Sequence, residues 1–357
     1  MQTTTSLRQF FAGSFFLICS VFFLSGITIQ AQVGGVGGGG VGPYRTQIIE
    51  LTAGWNAVYL EVEPLETKPS VLFLETPIGI AAGYFRPSTS MEFLESPADL
   101  IGDRKGWSVW YAPERDDALL SDLYSVQAHR AYLIYSHEDY TWSLRGIPYF
   151  DSVQWYANSF CLVGFQIEAA NAPTLANFFA GAAAHQPLNI YRMVDGRWAR
   201  ISDPAATLMQ SGVAYWAQST GASEFSGPFK VNFSGAAVGG LVFTESSQQR
   251  RLEITNVADY PQDFSISLEA GETGVIPLAY IIQGLNASEN VMNSISVPMP
   301  AELLVTSIEP GEAFALELEV FSELVTANKL GSNLVITSDA GLRVDVPILS
   351  IRSDLLE

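Results

Sequence analysis

Short runs in which apolar and polar residues alternate occur along most of the chain, and this is the pattern of half-buried β-strands. Val58, Leu60 and Val62 form one such run, separated by Tyr59 and Glu61. Only two short segments show a helical pattern, and each is led by a Pro residue, which the first turn of a helix tolerates. The alternation therefore predicts an all-β protein with a few short helices.

The alternating runs form two imperfect copies of one pattern. The first copy opens with Gly54-Trp55-Asn56 and the second with Ser159-Phe160-Cys161. A fixed order of landmarks indicates a duplicated module. We therefore predict two tandem β-rich modules, residues 46–148 and 149–233, each with one short helix. The landmarks shared by the two copies are a Pro-led helix (residues 69–75 and 173–180), an aromatic-Arg pair (Phe85-Arg86 and Tyr191-Arg192), a Trp strand (Trp107 and Trp198) and an Ala-Tyr strand (Ala131-Tyr132 and Ala214-Tyr215).

Residues 235–352 have a different pattern, because Trp is absent and β-branched residues dominate the alternation. Phe314, Leu316 and Leu318 are a typical run, and a turn signal at Pro310-Gly311 precedes them. About seven or eight short strands at regular spacing predict an antiparallel two-sheet β-sandwich. Residues 285–293 lack the alternation, and we expect a long loop there.

The C-terminal segment resembles the immunoglobulin-like modules of bacterial extracellular proteins. The resemblance rests on the strand patterns of residues 251–257 and 264–268, the turn at Pro310-Gly311-Glu312 and the closing runs 334–341 and 344–348. It implies an immunoglobulin-like β-sandwich over residues 235–352. The paired Cys residues of antibody-type domains are missing from this segment.

The two modules resemble repeats of large exported proteins of planctomycete and verrucomicrobial bacteria. Those repeats open with a Gly-Trp-Asn strand, as at Gly54-Trp55-Asn56, whereas Ser159-Phe160-Cys161 departs from the pattern. Their closing Gly-Arg-Gly-Tyr-Trp strand is matched in part by residues 129–132 and 212–216. The resemblance implies an exported modular protein and no particular activity.

The N-terminus has the pattern of an export signal. Arg8 precedes an apolar run over residues 10–29, and the small Ala31 suits a signal peptidase, so residues 1–32 are predicted to be a signal peptide. The alternative is a membrane anchor, because the run approaches the roughly 20 residues that span a bilayer. Residues 33–45 are a Gly-rich linker, and we predict no transmembrane segment in the mature chain.

Composition narrows the class of partner. The formal net charge of −19 argues against nucleic acid and anionic membranes, which basic surfaces bind. Cys161 is the single Cys left after signal cleavage, so no internal disulfide is expected. An exported chain without disulfides favours a bacterial address, either secreted or in the cell envelope (periplasm or outer surface).

Catalytic and metal-binding patterns are sparse. The three His residues fall in no zinc motif, and no nucleophile elbow or phosphate-binding loop is present. Asp116, Asp117 and Asp122 crowd one segment and are candidate calcium ligands, because hard oxygen ligands suit this ion outside cells. Their spacing does not match the calcium-loop motif, and a solvated acidic loop is the alternative. No other cofactor is predicted.

The seven Trp residues suggest either core packing or sugar binding. Trp107 and Trp198 recur at equivalent places, which favours a core role for both. Trp110 and Trp155 have no counterpart in the other copy and are the candidates for exposed carbohydrate-binding rings.

These features together predict a non-enzymatic, exported structural or adhesive protein of the bacterial cell envelope or exterior. Its tandem β modules would present loops to an unknown protein or polysaccharide at the cell surface. The alternatives are a carbohydrate-binding protein that uses exposed Trp side chains and a divergent glycoside hydrolase, which would need two acids in one cleft.

Overall fold

The computed structural model describes residues 42–85, 106–233, 240–272, 274–286 and 291–352. The predicted signal peptide, residues 33–41 of the predicted linker, and Arg86 lie outside the described residues. The described chain is built almost entirely of antiparallel β-sheets, which confirms the all-β prediction. No helix in these ranges is long and apolar enough to cross a bilayer.

The first module contains two sheets and one helix. A four-stranded sheet, here sheet 1, has the strand order β2-β6-β4-β5. A three-stranded sheet, here the outer sheet, has the order β1-β7-β3. The elements are β1 (Arg45–Leu51), β2 (Gly54–Leu60), β3 (Val62–Pro64), α1 (Pro69–Leu72), β4 (Ile78–Tyr84), β5 (Trp107–Tyr111), β6 (Arg130–Ser136) and β7 (Tyr140–Pro148). Strand β1 thus begins at the last residue of the predicted linker.

The second module repeats the topology of sheet 1. Its sheet, here sheet 2, has the order β8-β11-β9-β10, so that in both sheets the first strand neighbours the fourth, followed by the second and the third. One short helix separates the first and second strands in each copy. This agreement confirms the predicted pair of tandem modules. The elements are β8 (Ser159–Val163), α2 (Leu175–Phe178), β9 (Ile190–Val194), β10 (Arg197–Arg200) and β11 (Tyr215–Ser219).

Strand register shows which landmarks are equivalent. Val58 faces Tyr132 in sheet 1 and Val163 faces Tyr215 in sheet 2, so the two Ala-Tyr strands match residue for residue. The two tyrosines also act alike: each hydroxyl accepts a hydrogen bond from the backbone N–H five residues earlier, at 2.8 Å in the first copy and 3.1 Å in the second. This shared bond extends the equivalence to the loop before the strand.

Two predicted landmarks are wrong in detail. Arg192 faces Tyr215 in sheet 2, and Gly83 faces the equivalent Tyr132 in sheet 1. Arg192 is therefore equivalent to Gly83, and the two aromatic-Arg pairs are not equivalent. The second helix begins after Thr174, whose hydroxyl accepts the N–H of Asn177, and not at Pro173. A capping hydroxyl therefore starts this helix where Pro starts the first one.

Sheets 1 and 2 pack face to face. Alternate residues of their strands form one shared core that includes Tyr59, Leu133 and Trp216. The ring centroid of Trp216 lies 6.5 Å from that of Trp107 and 6.1 Å from that of Trp198. The equivalent tryptophans of the two copies thus both contact the centre of this shared core, which confirms their packing role.

Gly164 permits a close approach between the two modules. A Cβ atom at this residue would lie 2.3 Å from the Cβ of Tyr59 and 2.8 Å from the carbonyl oxygen of Val213. No side chain fits at such distances. Backbone hydrogen bonds flank the contact, because Tyr59 donates to Gly212 and Ala214 donates to Ala57.

The C-terminal region is a β-sandwich with a shared core between two five-stranded sheets. The front sheet has the order β12-β14-β19-β16-β17 and the back sheet has the order β13-β21-β20-β15-β18. Among the described strands of this region, all pairs are antiparallel except β13 with β21. The strands are β12 (Phe229–Phe233), β13 (Leu241–Thr244), β14 (Gln249–Asn256), β15 (Gln262–Ala270), β16 (Leu278–Asn286), β17 (Val291–Pro298), β18 (Glu302–Ile308), β19 (Ala313–Val320), β20 (Lys329–Ser338) and β21 (Arg343–Ile351).

The sandwich confirms the predicted architecture and corrects two assignments. Strand β12 was assigned to the second module, but it pairs with β14 and belongs to the front sheet. The expected loop over residues 285–293 is wrong, because its two ends continue β16 and β17 of a hairpin. Polar residues in this segment hide the alternation, and pairing across the hairpin supplies the order that local pattern does not show.

Candidate functional site

A cleft of about 600 Å³ opens where the two modules meet the sandwich. Tyr59 and His129 of the first module line it, Phe225 comes from the end of the second module, and Arg343 comes from the sandwich. Strand β12 contributes the consecutive residues Phe229–Asn232 to its wall. In the described residues β12 pairs with β14 alone, so its other edge faces away from the front sheet.

The buried Tyr59 and the half-buried His129 form a polar pair at the wall of this cleft. The Tyr59 hydroxyl lies 2.8 Å from Nδ1 of His129. Burial lowers the pKa of His129, and the nearby Asp151 carboxylate and a hydrogen bond with the Ser152 backbone oppose that shift. Burial also raises the pKa of Tyr59. Both side chains are therefore neutral at pH 7.

His129 holds this position at a conformational cost. Its φ of 56° is left-handed, and the equivalent residue of the second copy is Gly212 with φ 72°. A non-glycine residue in this region costs roughly 1 kcal/mol. The first copy thus keeps a strained histidine where the second uses glycine, and its side chain binds Tyr59 at the cleft.

A network of charged side chains connects the three parts of the molecule beside the cleft. Arg45 forms ion pairs with Glu61 of the first module and with the fully buried Asp345 of the sandwich. Glu61 also accepts hydrogen bonds from the hydroxyl of Ser211 at 2.6 Å and the N–H of Gly212 at 3.1 Å, both in the second module. The network therefore fixes the walls of the cleft relative to one another.

Arg343 extends this network to the cleft itself. Its guanidinium lies 2.8 Å from Asp345, 3.3 Å from Glu168 and 3.0 Å from Glu269. The backbone N–H of Asp345 also donates to Gln166, which lines the cleft. The Arg343 charge is therefore neutralised by neighbouring carboxylates, and it serves to hold the sandwich against the second module.

Hydroxyl groups of the cleft are used for structure. Ser226 accepts a hydrogen bond from the N–H of Val153 at 2.6 Å, and Ser223 accepts one from the N–H of Phe225 at 3.0 Å. Neither hydroxyl is hydrogen-bonded to a histidine. The cleft therefore offers backbone edges and apolar walls, and its polar groups orient the surrounding loops.

Trp110 and Trp155, the predicted exposed rings for carbohydrate binding, are both buried. Trp110 is 7% exposed and packs against Phe73, with ring centroids 5.0 Å apart. Trp155 is 2% exposed, and its indole N–H donates to the carbonyl of Phe225 at 2.6 Å. Both rings fill space between strands and loops, because small modules need large side chains to complete their cores.

The predicted calcium ligands do not converge. Asp117 is paired with Arg115, and Asp122 accepts the backbone N–H of Val109 at 2.6 Å. In the ranges that the structure covers, Asp116, Asp117 and Asp122 are not part of any group of three His, Cys, Asp or Glu side chains placed to hold a metal ion. The expected calcium cluster is therefore wrong, since two of its carboxylates serve nearby donors.

Acids with a raised pKa lie away from the cleft. Burial raises the pKa of Glu63, which accepts the N–H of Ala128 at 2.7 Å, and also that of Asp339. Neither residue lines the 600 Å³ cleft. The glycosidase alternative requires a pair of such carboxyl groups across one cleft, and these two residues do not supply it.

Sequence reasoning missed the Tyr59–His129 pair and the β12 edge. The alternating pattern predicts Tyr59 only as a residue of a half-buried strand, and the sequence places His129 in no zinc motif. One usable signal was present: aligning the copies on Tyr132 and Tyr215 places His129 opposite Gly212. A histidine at a glycine position of the sister copy indicates a left-handed residue kept for its side chain.

Comparison with known proteins gives only distant similarity. No family model and no curated protein matches the chain. The chain is similar to the solved structure of the YadV chaperone, with 10% identity over 34% of this chain and 52% of that chain and a TM-score of 0.23. A FixG-related protein from Vibrio parahaemolyticus matches at 11% identity over 35% of this chain and 97% of that one, with a TM-score of 0.21.

A third similar structure is a PapD-like domain of human CEP192, with 11% identity over 34% of this chain and 84% of that domain and a TM-score of 0.20. The chain thus spans about half of the YadV chaperone that it matches.

Proposed function

We propose that this is a non-enzymatic, exported structural or adhesive protein that binds an extended polypeptide segment of a partner in the cleft beside β12. The observation that supports it most directly is the outer edge of β12 along the cleft, which pairs with no other strand of the described residues. A strand edge recognises an extended chain through backbone hydrogen bonds, and neighbouring pockets take alternate side chains. The partner lies at the surface of a bacterial cell or outside it.

Apolar residues supply the pockets for such a segment. Phe150 and Phe225 line the cleft together with the small residues Ala182–Ala184. The ring of Phe150 packs against Phe233 at 5.5 Å, so the cleft wall is continuous with β12. Because charged networks hold the three parts of the protein together, the cleft keeps its shape before a partner arrives, which limits the entropic cost of binding.

A peptide library displayed on phage tests this proposal with the purified full-length protein. Peptides that survive selection are synthesised, and their affinities are measured by fluorescence anisotropy. Ala183→Trp places a large ring on the exposed wall of the cleft, and we expect it to weaken binding at least tenfold. Ala205→Trp, an exposed alanine outside the cleft, is the matched control.

Two results would overturn the proposal. If the selection enriches no peptide, the cleft is not a general peptide-binding site. Peptides that bind equally well to both Trp variants occupy another surface. Protection of the β12 amides from hydrogen exchange in the complex locates the peptide independently of the variants.

Carbohydrate binding is a second candidate function, and it is supported by a groove around Tyr124 and not by exposed Trp110 or Trp155 rings. Tyr124 is 80% exposed and lines a groove of about 610 Å³ together with Tyr111, Lys68 and Ser70. An exposed aromatic ring next to polar side chains suits a sugar ring. Retention on immobilised polysaccharides that Tyr124→Ala abolishes and Tyr156→Ala preserves supports this candidate. Absence of retention for the wild-type protein excludes it for the polysaccharides used.

A further inference from the structure

The β16–β17 hairpin projects from the front sheet as a two-stranded arm. Strand β16 pairs with β17 over eight residue pairs, from Ala279 with Pro298 to Asn286 with Val291. It pairs with β19 only over Leu278–Tyr280. A two-stranded hairpin is marginally stable in water by itself. The outer part of the arm therefore gains stability from any strand that adds to it.

Within the described residues, the outer edge of β17 has few of the devices that usually protect an edge strand. Such devices include charged side chains, Pro residues, bulges, short strands and covering segments. Strand β18 carries Glu302 and a register shift, and β13 has four residues. Strand β5 is covered by Asp122 and Ser121, which accept its N–H groups. Strand β17 has eight residues, no charged residue and an unbroken register, and its one Pro is its last residue, Pro298.

Exposed apolar side chains lie on this arm. Ile282 and Ile295 face each other directly across the two strands, and they are 43% and 49% exposed. A cross-strand pair of β-branched residues stabilises a sheet when a neighbour covers it. In a monomer this pair leaves apolar surface in water next to an unpaired strand edge.

We propose that β17 of one copy pairs antiparallel with β17 of a second copy, so that a twofold axis joins the two front sheets into one. The net charge of −19 opposes contact between two copies over most of their surfaces. Neither β16 nor β17 contains a charged residue, so like charges do not oppose pairing at this edge. A twofold contact needs only one self-complementary edge, and β17 supplies it.

The test measures the oligomeric state of the purified full-length protein by light scattering after size exclusion and by sedimentation, over a range of protein concentrations. The wild-type protein is expected to dimerise. Ile295→Asp places two like charges in the twofold contact and is expected to weaken dimerisation on the order of 100-fold. Leu304→Asp is the matched control, because Leu304 is 66% exposed on the edge strand β18 of the other sheet.

Hydrogen exchange locates the contact without relying on a variant. Amides of residues 291–298 are expected to become protected as the wild-type concentration rises, while those of β18 do not change. Far-UV circular dichroism and the melting temperature confirm that Ile295→Asp is folded. A wild-type monomer at all concentrations overturns the proposal. A dimer that the two Asp variants weaken equally, or that protects a different strand, also overturns it.

Discussion

Sheets 1 and 2 share a strand order and a buried tyrosine, but different parts of the molecule cover their outward faces. The outward face of sheet 1 packs on α1 and on the outer sheet of its own module, through residues such as Phe73 and Trp142. The outward face of sheet 2 joins the core that contains Phe178 of α2 and Phe243 of the sandwich. The first module thus covers the outward face of its sheet with its own residues, whereas the second module shares this role with the sandwich.

The same contrast appears in the segment after the first strand of each copy. In the first module, Val62–Pro64 pairs with β7. In the second, Ile167 forms a bridge with Leu342, and Arg343 donates to the carbonyl of Gln166, so the sandwich takes the place of β7. A duplicated sequence can therefore keep its central sheet while each copy finds a different cover for its apolar face.

The largest expected loss of stability comes from substitutions in the core that the two copies share. Trp216→Ala and Leu133→Ala remove equivalent, fully buried side chains from sheets 2 and 1. Each substitution leaves a cavity and is expected to lower the free energy of unfolding by about 3–5 kcal/mol. Urea denaturation measures the change. Tyr124→Ala removes an exposed ring and is expected to change it by less than about 0.5 kcal/mol. A small loss for Trp216→Ala contradicts the shared core.

The next effect tests the close approach of the modules. Gly164→Ala places a methyl group where the Cβ of Tyr59 lies 2.3 Å away, so the sheets must separate. We expect a loss of about 1–3 kcal/mol in denaturant unfolding. Gly221→Ala is the control, because its nearest neighbour would be 3.4 Å away, at the Cβ of Ala184. Equal stability of the two variants would show that the modules are not held this closely.

A smaller effect sharpens the equivalence of the two tyrosines. Burial raises the pKa of both Tyr132 and Tyr215 to about 12, so both hydroxyls are neutral acceptors. Tyr132→Phe and Tyr215→Phe each leave one backbone N–H without its partner, and each is expected to cost about 1–2 kcal/mol. Thermal unfolding compares them. Costs that differ by more than about 1 kcal/mol would show that the two loops depend on this bond unequally.

The smallest effect concerns pH. Burial lowers the pKa of His129 in the first module and of His185 in the second. The unfolded chain takes up protons near pH 6.5 whereas the folded chain resists them, so stability is full above that pH and declines as the pH falls below it. Denaturation midpoints between pH 8 and pH 5 measure the decline.

Variants assign this pH dependence to the two sites. His185→Phe keeps a ring beside Trp155, whose centroid lies 4.4 Å from that of His185, and is expected to flatten the decline. His129→Asn retains a residue type that tolerates a left-handed backbone and removes the second group. A midpoint that stays constant across the range in the wild-type protein contradicts the neutral state of both rings.

Local pattern predicted the strands well where apolar residues alternate, as in β2, and it predicted the duplication from Tyr132 and Tyr215. It failed where order comes from pairing, as in the hairpin between β16 and β17, and where a residue's neighbours are distant in sequence. Trp110 and Trp155 lack counterparts in the other copy, yet both are buried by loops that the pattern does not describe.

The candidate site was largely beyond sequence reasoning for the same reason. Four separate stretches of chain supply Tyr59, His129, the β12 edge and Arg343, and their proximity follows from packing alone. The number of acidic residues in one segment was also a poor guide to a metal site. Asp117 pairs with Arg115 and Asp122 accepts the N–H of Val109, because leaving these donors without a partner would cost free energy.

The sequence by itself determined the β class, the repeated sheet and the sandwich that follows it, because the two-residue period of a strand and the order of landmarks are local properties. Tertiary structure decided how the copies face each other, which neighbour covers each sheet and which strand edges stay open. Those choices depend on burying apolar faces and pairing charges between segments far apart in the chain, and no single segment contains that information.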